Sequence, residues 1–422
     1  MHGPKMFRIR QRLDTTRPAS LTALLEMEFA GIRDRLPPLS GAEVAITAGS
    51  RGIANLAVIV RGVVDQVRRL GGSPFVFPAM GSHGGGTAEG QAAVLRELGV
   101  TEGSVGAPIR ATMDVVQIGR TAGGVNLWLD RYAYEAGRIV VVNRIKPHTD
   151  FSGEVESGLL KMMLIGLGKQ RGADYYHKVF VDRGYDTVIL EAARAIIQDG
   201  RILFGVGIVE NGVEDTSLVR YALPREIEAT ERELLLRARA MFPTIPLDAI
   251  DVLIVDEMGK EISGAGMDPN VTGRVVTGFG KHVPRPRVRR LYVRDLTEAS
   301  HGNAAGIGTA DFTRRSLVQK IDHQATALNC ITSCTPEEGR IPIALDTDRE
   351  ALAACFSAIH EVDEGDVKLV HVKNTLTLDE FYASEALLEE VRRNDRLEVC
   401  GEGAALRFRP DGNLISPFEG AP

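Results

Sequence analysis

Five side chains stand where an α/β protein places its chemistry: Arg51, His83, His148, Lys161 and His177. His148 follows Pro147, just beyond the apolar run Ile139-Val140-Val141-Val142, which reads as a buried strand. His83 sits in Gly81-Ser-His-Gly-Gly-Gly86, beyond the strand-like Phe75-Val76-Phe77 and ahead of a helix. Arg51 lies in a glycine-flanked turn after a third short apolar run, Val44 to Ile46. Loops beyond the carboxyl ends of parallel strands carry ligands in such folds. Histidines suit proton transfer near neutral pH. Lys161, ahead of Met162-Met163-Leu164-Ile165, is either a snorkelling surface lysine or an amine in a partly dry site, usable as a covalent anchor. Arg51 is either a surface group or a fork for a carboxylate. Each histidine alone reads equally as a cap or a buried hydrogen-bonded side chain.

The elements that would position these residues follow from periodicity. Leu56, Ile59, Val60, Val63, Val64 and Val67 form the stripe of a helix packed on a sheet. Strand, helix and strand in that order imply a parallel pair with a right-handed crossover. A helix is expected from about Ala88 to Leu98, with Thr87 as its N-cap. If the strands before His83 and His148 share one parallel sheet, both histidines leave the same edge. Further helices are expected at 21–33, 186–198 and 225–241, and a strand at 202–209. Pro243-Thr-Ile-Pro246 reads as a linker. Beyond it come strands at 252–255, 291–293 and 368–372, and helices near 311–320 and 348–359. The fold class is therefore α/β: two α/β domains with parallel-sheet units, 1–245 and 246–422, the tail free to pack back on the first. The active site is expected in the cleft between them.

A chain of 422 residues with 44% apolar content can bury two or three full cores. A net charge of −6 argues against a nucleic-acid partner. The densest basic stretch, His282 to Arg294, holds five arginines interleaved with Leu291, Tyr292 and Val293, as a solvated segment would. No window approaches the roughly 18 apolar residues of a membrane span, and the first residues lack a signal-peptide core. Cys330, Cys334, Cys355 and Cys400 fit no zinc spacing and suggest reduced thiols in a cytoplasmic protein. The histidines lack H-x-x-x-H or H-x-H spacing and a carboxylate at ligand distance in sequence. The glycine loop before the helix suits an anion, yet it is neither a Walker loop nor G-x-G-x-x-G.

On Thr47-Ala-Gly-Ser-Arg51, Gly81-Ser-His83, Pro147-His148, Ser157-Gly158-Leu-Leu-Lys161 and His177, the chain resembles the nickel-dependent lactate racemase superfamily of 2-hydroxyacid racemases and epimerases. The resemblance spans roughly residues 40–275 and includes the interval 177 − 161 = 16. It implies a nickel-pincer nucleotide, a pyridinium mononucleotide with two thio-acyl arms, made by separate cofactor-biosynthesis enzymes. Lys161 would anchor it, with Ser157 and Gly158 beside it, and His177 would ligate nickel. His83 and His148 would be the paired acid and base, and Arg51 the clamp on the substrate carboxylate. Lys260, Asp268, Asn270 and Arg274 of the second domain are the further candidates for substrate contact. The implied reaction is inversion at C2 of a 2-hydroxy acid. A base takes the hydroxyl proton as hydride leaves, and the planar 2-keto acid takes hydride back on either face.

Departures from the lactate enzyme are visible too. Ala48 stands where that enzyme has an acidic residue, and Gly84 follows His83 where it has arginine. The His148–Lys161 loop is longer, 161 − 148 = 13. Thr272-Gly273-Arg274 replaces its Gln and Lys, and its C-terminal aromatic partner has no match, the single tryptophan being Trp128. A zinc-dependent hydrolase or lyase using the same histidines, and a non-catalytic carrier of the nickel cofactor, are the competing readings.

Overall fold

The computed structural model describes residues 3–50, 52–275, 285–359 and 362–419. Arg51 falls outside the described residues. The chain forms two compact units. One, here the terminal unit, is Met1–Leu13 with Pro243–Pro422; the other, the inserted unit, is Asp14–Phe242.

The chain opens on a strand the sequence reading missed, β1 (Lys5–Gln11). It alternates buried Met6, Ile9 and Gln11 with exposed basic residues and belongs to the terminal unit's sheet. The inserted unit then builds β2 (Glu43–Ala48), β3 (Ser73–Pro78), β4 (Val115–Arg120), β5 (Asn126–Asp130), β6 (Ile139–Arg144), β7 (Ile202–Glu210) and β8 (Thr216–Ala222). Its main sheet has the order β3-β2-β6-β7-β8. The first four strands are parallel, and β8 closes the edge antiparallel to β7. β4 and β5 form a separate hairpin that periodicity did not reveal.

The expected crossover helix runs Leu56–Arg69 and buries Ile59, Val60, Val63, Val64 and Val67 completely. They share a core with Ile46, Val76, Val140, Val142 and Val206 from four sheet strands. Each such side chain contributes roughly 1.5–3 kcal/mol on burial. The next helix, Ala88–Glu97, is capped by Thr87, whose hydroxyl accepts the Gly90 N–H at 3.0 Å.

The terminal unit holds β9 (Ala249–Met258), β10 (Arg287–Leu296), β11 (Phe312–Arg314), β12 (Ile343–Leu345), β13 (Leu369–Val372), β14 (Glu380–Ser384) and β15 (Leu397–Ala405). With β1 they order as β12-β11-β10-β9-β13-β14-β1-β15. The five from β12 to β13 are parallel, and the remaining pairings are antiparallel. The helix expected near 311–320 is in fact β11 followed by a short helix, Arg315–Gln319. Phe312 and Thr313 are both buried, and a strand of three residues is too short for a period of two to stand out. Among the described residues no helix is long and apolar enough to cross a membrane.

Candidate functional site

Because β3, β2 and β6 are adjacent and parallel, the loops that follow them leave one edge of the sheet. These are the loops carrying His83, Arg51 and His148, so the shared edge expected from the sequence is present. The segment after the His148 loop returns as a short helix, Leu159–Lys161, and runs directly into a π-helical turn, Met162–Gly166. π-turns interrupt helices mostly at functional sites. A second helix, Lys169–Arg183, carries His177.

The loops close on this segment. A methyl group added at Gly49 would stand 3.4 Å from Met162 Cε, beside Lys161. One added at Gly81 would stand 3.1 Å from Ile165 Cγ2 and 3.5 Å from Ala173 Cβ, on the helix of His177. The structure thus brings the His83 loop and the Thr47–Ser50 approach to Arg51 against the lysine–histidine segment. Ser157 and Gly158 lie at its start: the Ser157 carbonyl accepts the Lys146 N–H at 2.9 Å, and the Gly158 carbonyl accepts Asn143 Nδ2 at 2.8 Å.

Lys161 Nζ meets His148 Nε2 in a close hydrogen bond. The other ring nitrogen, Nδ1, accepts the Asp150 N–H at 3.0 Å. A neutral imidazole has one donor and one acceptor nitrogen. With Nδ1 accepting, Nε2 is the nitrogen that carries the proton of a neutral ring, and it faces Lys161 Nζ. The Asp150 carboxylate stands 3.8 Å from Nδ1, beyond hydrogen-bond reach.

His148 is the end of a stack of rings. It lies 4.1 Å from Phe151, Phe151 lies 3.8 Å from Tyr185, and Tyr185 lies 4.3 Å from Phe180. The edge of Phe180 meets His177 at 6.0 Å. Burial first, and then the charge of Lys161, push the His177 imidazole down to about 4. It is therefore neutral at physiological pH, the form that offers a lone pair to a metal. Its Nδ1 is buried and lies toward the Ala173 carbonyl without meeting it in hydrogen-bond geometry.

Two glutamates hold this arrangement, and sequence reasoning found neither. Glu156 accepts the His148 N–H at 2.5 Å, the Gly153 N–H at 3.1 Å and Arg239 at 2.6 Å, which fixes the loop around His148. Glu231, fully buried on the helix Ile227–Met241, accepts the Leu160 N–H at 2.8 Å. It caps the helix that ends in Lys161. Burial pushes its carboxyl up to about 7, against the pull of the Leu160 and Leu159 N–H groups. Only a glycine fits opposite it, since a Cβ on Gly158 would stand 2.4 Å from its carboxyl.

The terminal-unit candidates have partners within their own unit. Lys260 Nζ donates to the Gly264 carbonyl. Asp268 caps the turn Pro269–Thr272, accepting the Asn270 N–H at 2.9 Å and Asn270 Nδ2 at 2.8 Å. Arg274 pairs with Asp311 at 2.8 Å and donates to the Arg289 carbonyl at 3.0 Å. Among the described residues no group of three or more His, Cys, Asp or Glu is arranged to hold a metal ion.

A parallel-stranded unit with a lysine–histidine segment under its carboxyl edge is the class of site the geometry defines. Residues 46–187 match the profile of the Lactate racemase N-terminal domain family. The lactate racemase apoprotein from Thermoanaerobacterium thermosaccharolyticum shares the fold, with a TM-score of 0.53 at 12% identity, over 88% of this chain and 93% of that one. A Thermotoga maritima protein of known crystal structure also shares it, with a TM-score of 0.51 at 13% identity, over 83% and 88%. No curated protein matches the chain in sequence. The chain is thus an α/β protein with the lactate racemase fold. The resemblance to the lactate racemase superfamily, read above from short motifs, is borne out by the match of residues 46–187 to that family's N-terminal domain and by the shared fold.

Proposed function

We propose that this protein inverts C2 of a small 2-hydroxy acid, and that it does so with a nickel-pincer nucleotide received from separate cofactor-making enzymes. The observation that carries the reading is the contact of Lys161 with His148, at one end of an aromatic stack whose other end meets a neutral His177. The donor set fits such a group. Among the described residues no cage of three or more ligands forms, and a neutral His177 near Lys161 suits a metal that arrives already held by an organic ligand. When bound, the nucleotide would supply hydride acceptance and return.

The chain's own residues do the rest. Lys161 anchors the group, Ser157 and Gly158 line its approach, and His177 lends its lone pair. Arg51 clamps the substrate carboxylate through two N–H groups. One of His83 and His148 takes the hydroxyl proton from one enantiomer, and the other serves the opposite face. Lys260, Asp268, Asn270 and Arg274 are proposed as terminal-unit residues that tune substrate choice.

Nickel per protein, after co-expression with the cofactor-making enzymes, tests this in wild type and His177→Ala. Near-stoichiometric nickel that drops sharply in the variant supports the reading, and a chiral screen of 2-hydroxy acids then names the substrate. Zinc in place of nickel in both proteins would overturn it in favour of hydrolysis. Bound nickel with no interconversion of any enantiomer would make the protein a carrier.

A further inference from the structure

Lys169 is fully buried. It is the first residue of the helix that carries His177, and it is held at φ +55°, a left-handed conformation that lysine rarely adopts. A buried ammonium is costly unless its donors are matched. Here Nζ donates to the Pro78 carbonyl at the end of β3 at 2.6 Å and to Gln91 Oε1 at 2.6 Å. Asp130 Oδ2 faces it at 3.5 Å as the charge partner. Burial lowers the tendency of Lys169 to hold its proton and pushes the Asp130 carboxyl up to about 6. None of the chemistry assigned above uses this cluster.

Its reach goes through Gln91, itself fully buried. An ammonium only donates, so Gln91 must turn its oxygen to Lys169. Its NH₂ is then committed to the other side, where Nε2 donates to the Gly81 carbonyl at 2.8 Å and the His83 carbonyl at 3.3 Å. Gly81, Gly84, Gly85 and Gly86 all have positive φ, so the loop has little rigidity of its own.

We propose that Lys169 is a positioning residue for His83: by fixing which way the Gln91 amide faces, it holds the glycine-rich loop in one conformation. The catalytic significance of His83 rests on the function proposed above, whereas the positioning stands without it.

The test uses the full chain without cofactor, in Lys169→Met and Gln91→Glu. Gln91→Glu keeps an acceptor for the ammonium and removes the donors to the loop, so it separates positioning from simple neutralisation of a buried charge. Amide hydrogen exchange over residues 81–86 and the His83 imidazole signals, assigned by their loss in His83→Gln, are the readouts. Both folded variants are expected to show exchange in the loop faster by about tenfold or more, with His83 signals shifted and those of His177 unmoved. Unchanged loop exchange and unchanged His83 signals would overturn the proposal, and Gln91→Glu decides alone if Lys169→Met fails to fold. Where the wild type racemises a 2-hydroxy acid, kcat should fall with KM held. A wild type with no such activity would count against the racemase reading and leave the loop result standing.

Discussion

At the carboxyl ends of β9, β10 and β13 in the terminal unit, Asp256, Arg294 and His371 meet in a closed network. Arg294 binds Asp256 at 2.5 Å and Asp348 at 2.8 Å, and His371 Nε2 lies 2.6 Å from Asp256. Ser416 donates to Asp256, Tyr292 donates to Asp348, and the Leu414 N–H reaches Asp348 at 2.6 Å. At the equivalent edge of the inserted unit, Lys161 meets another base, His148, and depresses a third, His177. Acid answers base in the first cluster. In the second, two bases meet directly, Asp150 stands 3.8 Å from His148 Nδ1, and the Glu156 carboxylate is taken by Arg239 and backbone. A cluster whose charges are matched, as in the first, is structural glue. Charge at a strand edge is therefore a poor guide to function until its partners are counted.

The comparison breaks most easily at Arg294. Arg294→Met should cost about 3–5 kcal/mol by removing the arginine charge that Asp256 and the buried Asp348 share, read by urea denaturation. His148→Gln should cost only about 1 kcal/mol in the same measurement, while lowering the proposed racemisation roughly 10²–10⁴-fold. Similar losses of stability in both variants would erase the distinction.

Acid sharpens it. Burial alone would raise the Asp256 carboxyl, but the His371 and Arg294 charges outweigh burial and hold it below the usual carboxylate range. Its contribution is present above the unfolded value of about 4 and is lost as pH falls below that. Glu231 runs the other way. Its folded pKa of about 7 exceeds its ordinary 4.5, so it costs nothing below that window and its burial penalty grows as pH rises through it. Glu231→Gln should remove a pH-dependent loss of up to about 3 kcal/mol between pH 5 and 8, while keeping an acceptor for the Leu160 N–H. A wild-type-minus-variant stability difference that is flat across that range would contradict the assignment.

Phe151→Leu, which breaks the stack between His148 and Tyr185, should cost about 1–2 kcal/mol. It should also broaden the His148 NMR signals. The smallest effect belongs to exposed pairs in either unit. Arg393→Ala, which removes an ion pair with Glu389 on an open helix face, should change stability by less than about 0.5 kcal/mol by thermal melting.

What was legible in the sequence was whatever a period or a turn encodes. The stripe from Leu56 to Val67 and the strand runs at 44–46, 75–77 and 139–142 fixed a parallel sheet, and with it the common edge for the His83 and His148 loops. Glu231 was not legible, because Glu228, Glu231 and Glu233 look alike in a charged helix and only packing decides which one is buried. Lys169 and Gln91 carry no local pattern either, since their partners come from distant strands. β1 was missed because its partners lie 370 or more residues away, and a short basic stretch gives no hint of them. The helix expected near 311–320 failed for a related reason: three residues of strand are too few for alternation to show.

The pairing of Met6 with Ser384 has a consequence in time. During synthesis, β1 leaves the ribosome ahead of the other strands described, and β14 and β15 leave last among them. At about 5–20 residues per second, β1 waits roughly 20–75 s for its neighbours. The inserted unit, complete at Phe242, has every strand of its own sheet well before then. The order of manufacture therefore assembles the site-bearing unit first, while the strand made earliest is among the last to find its place.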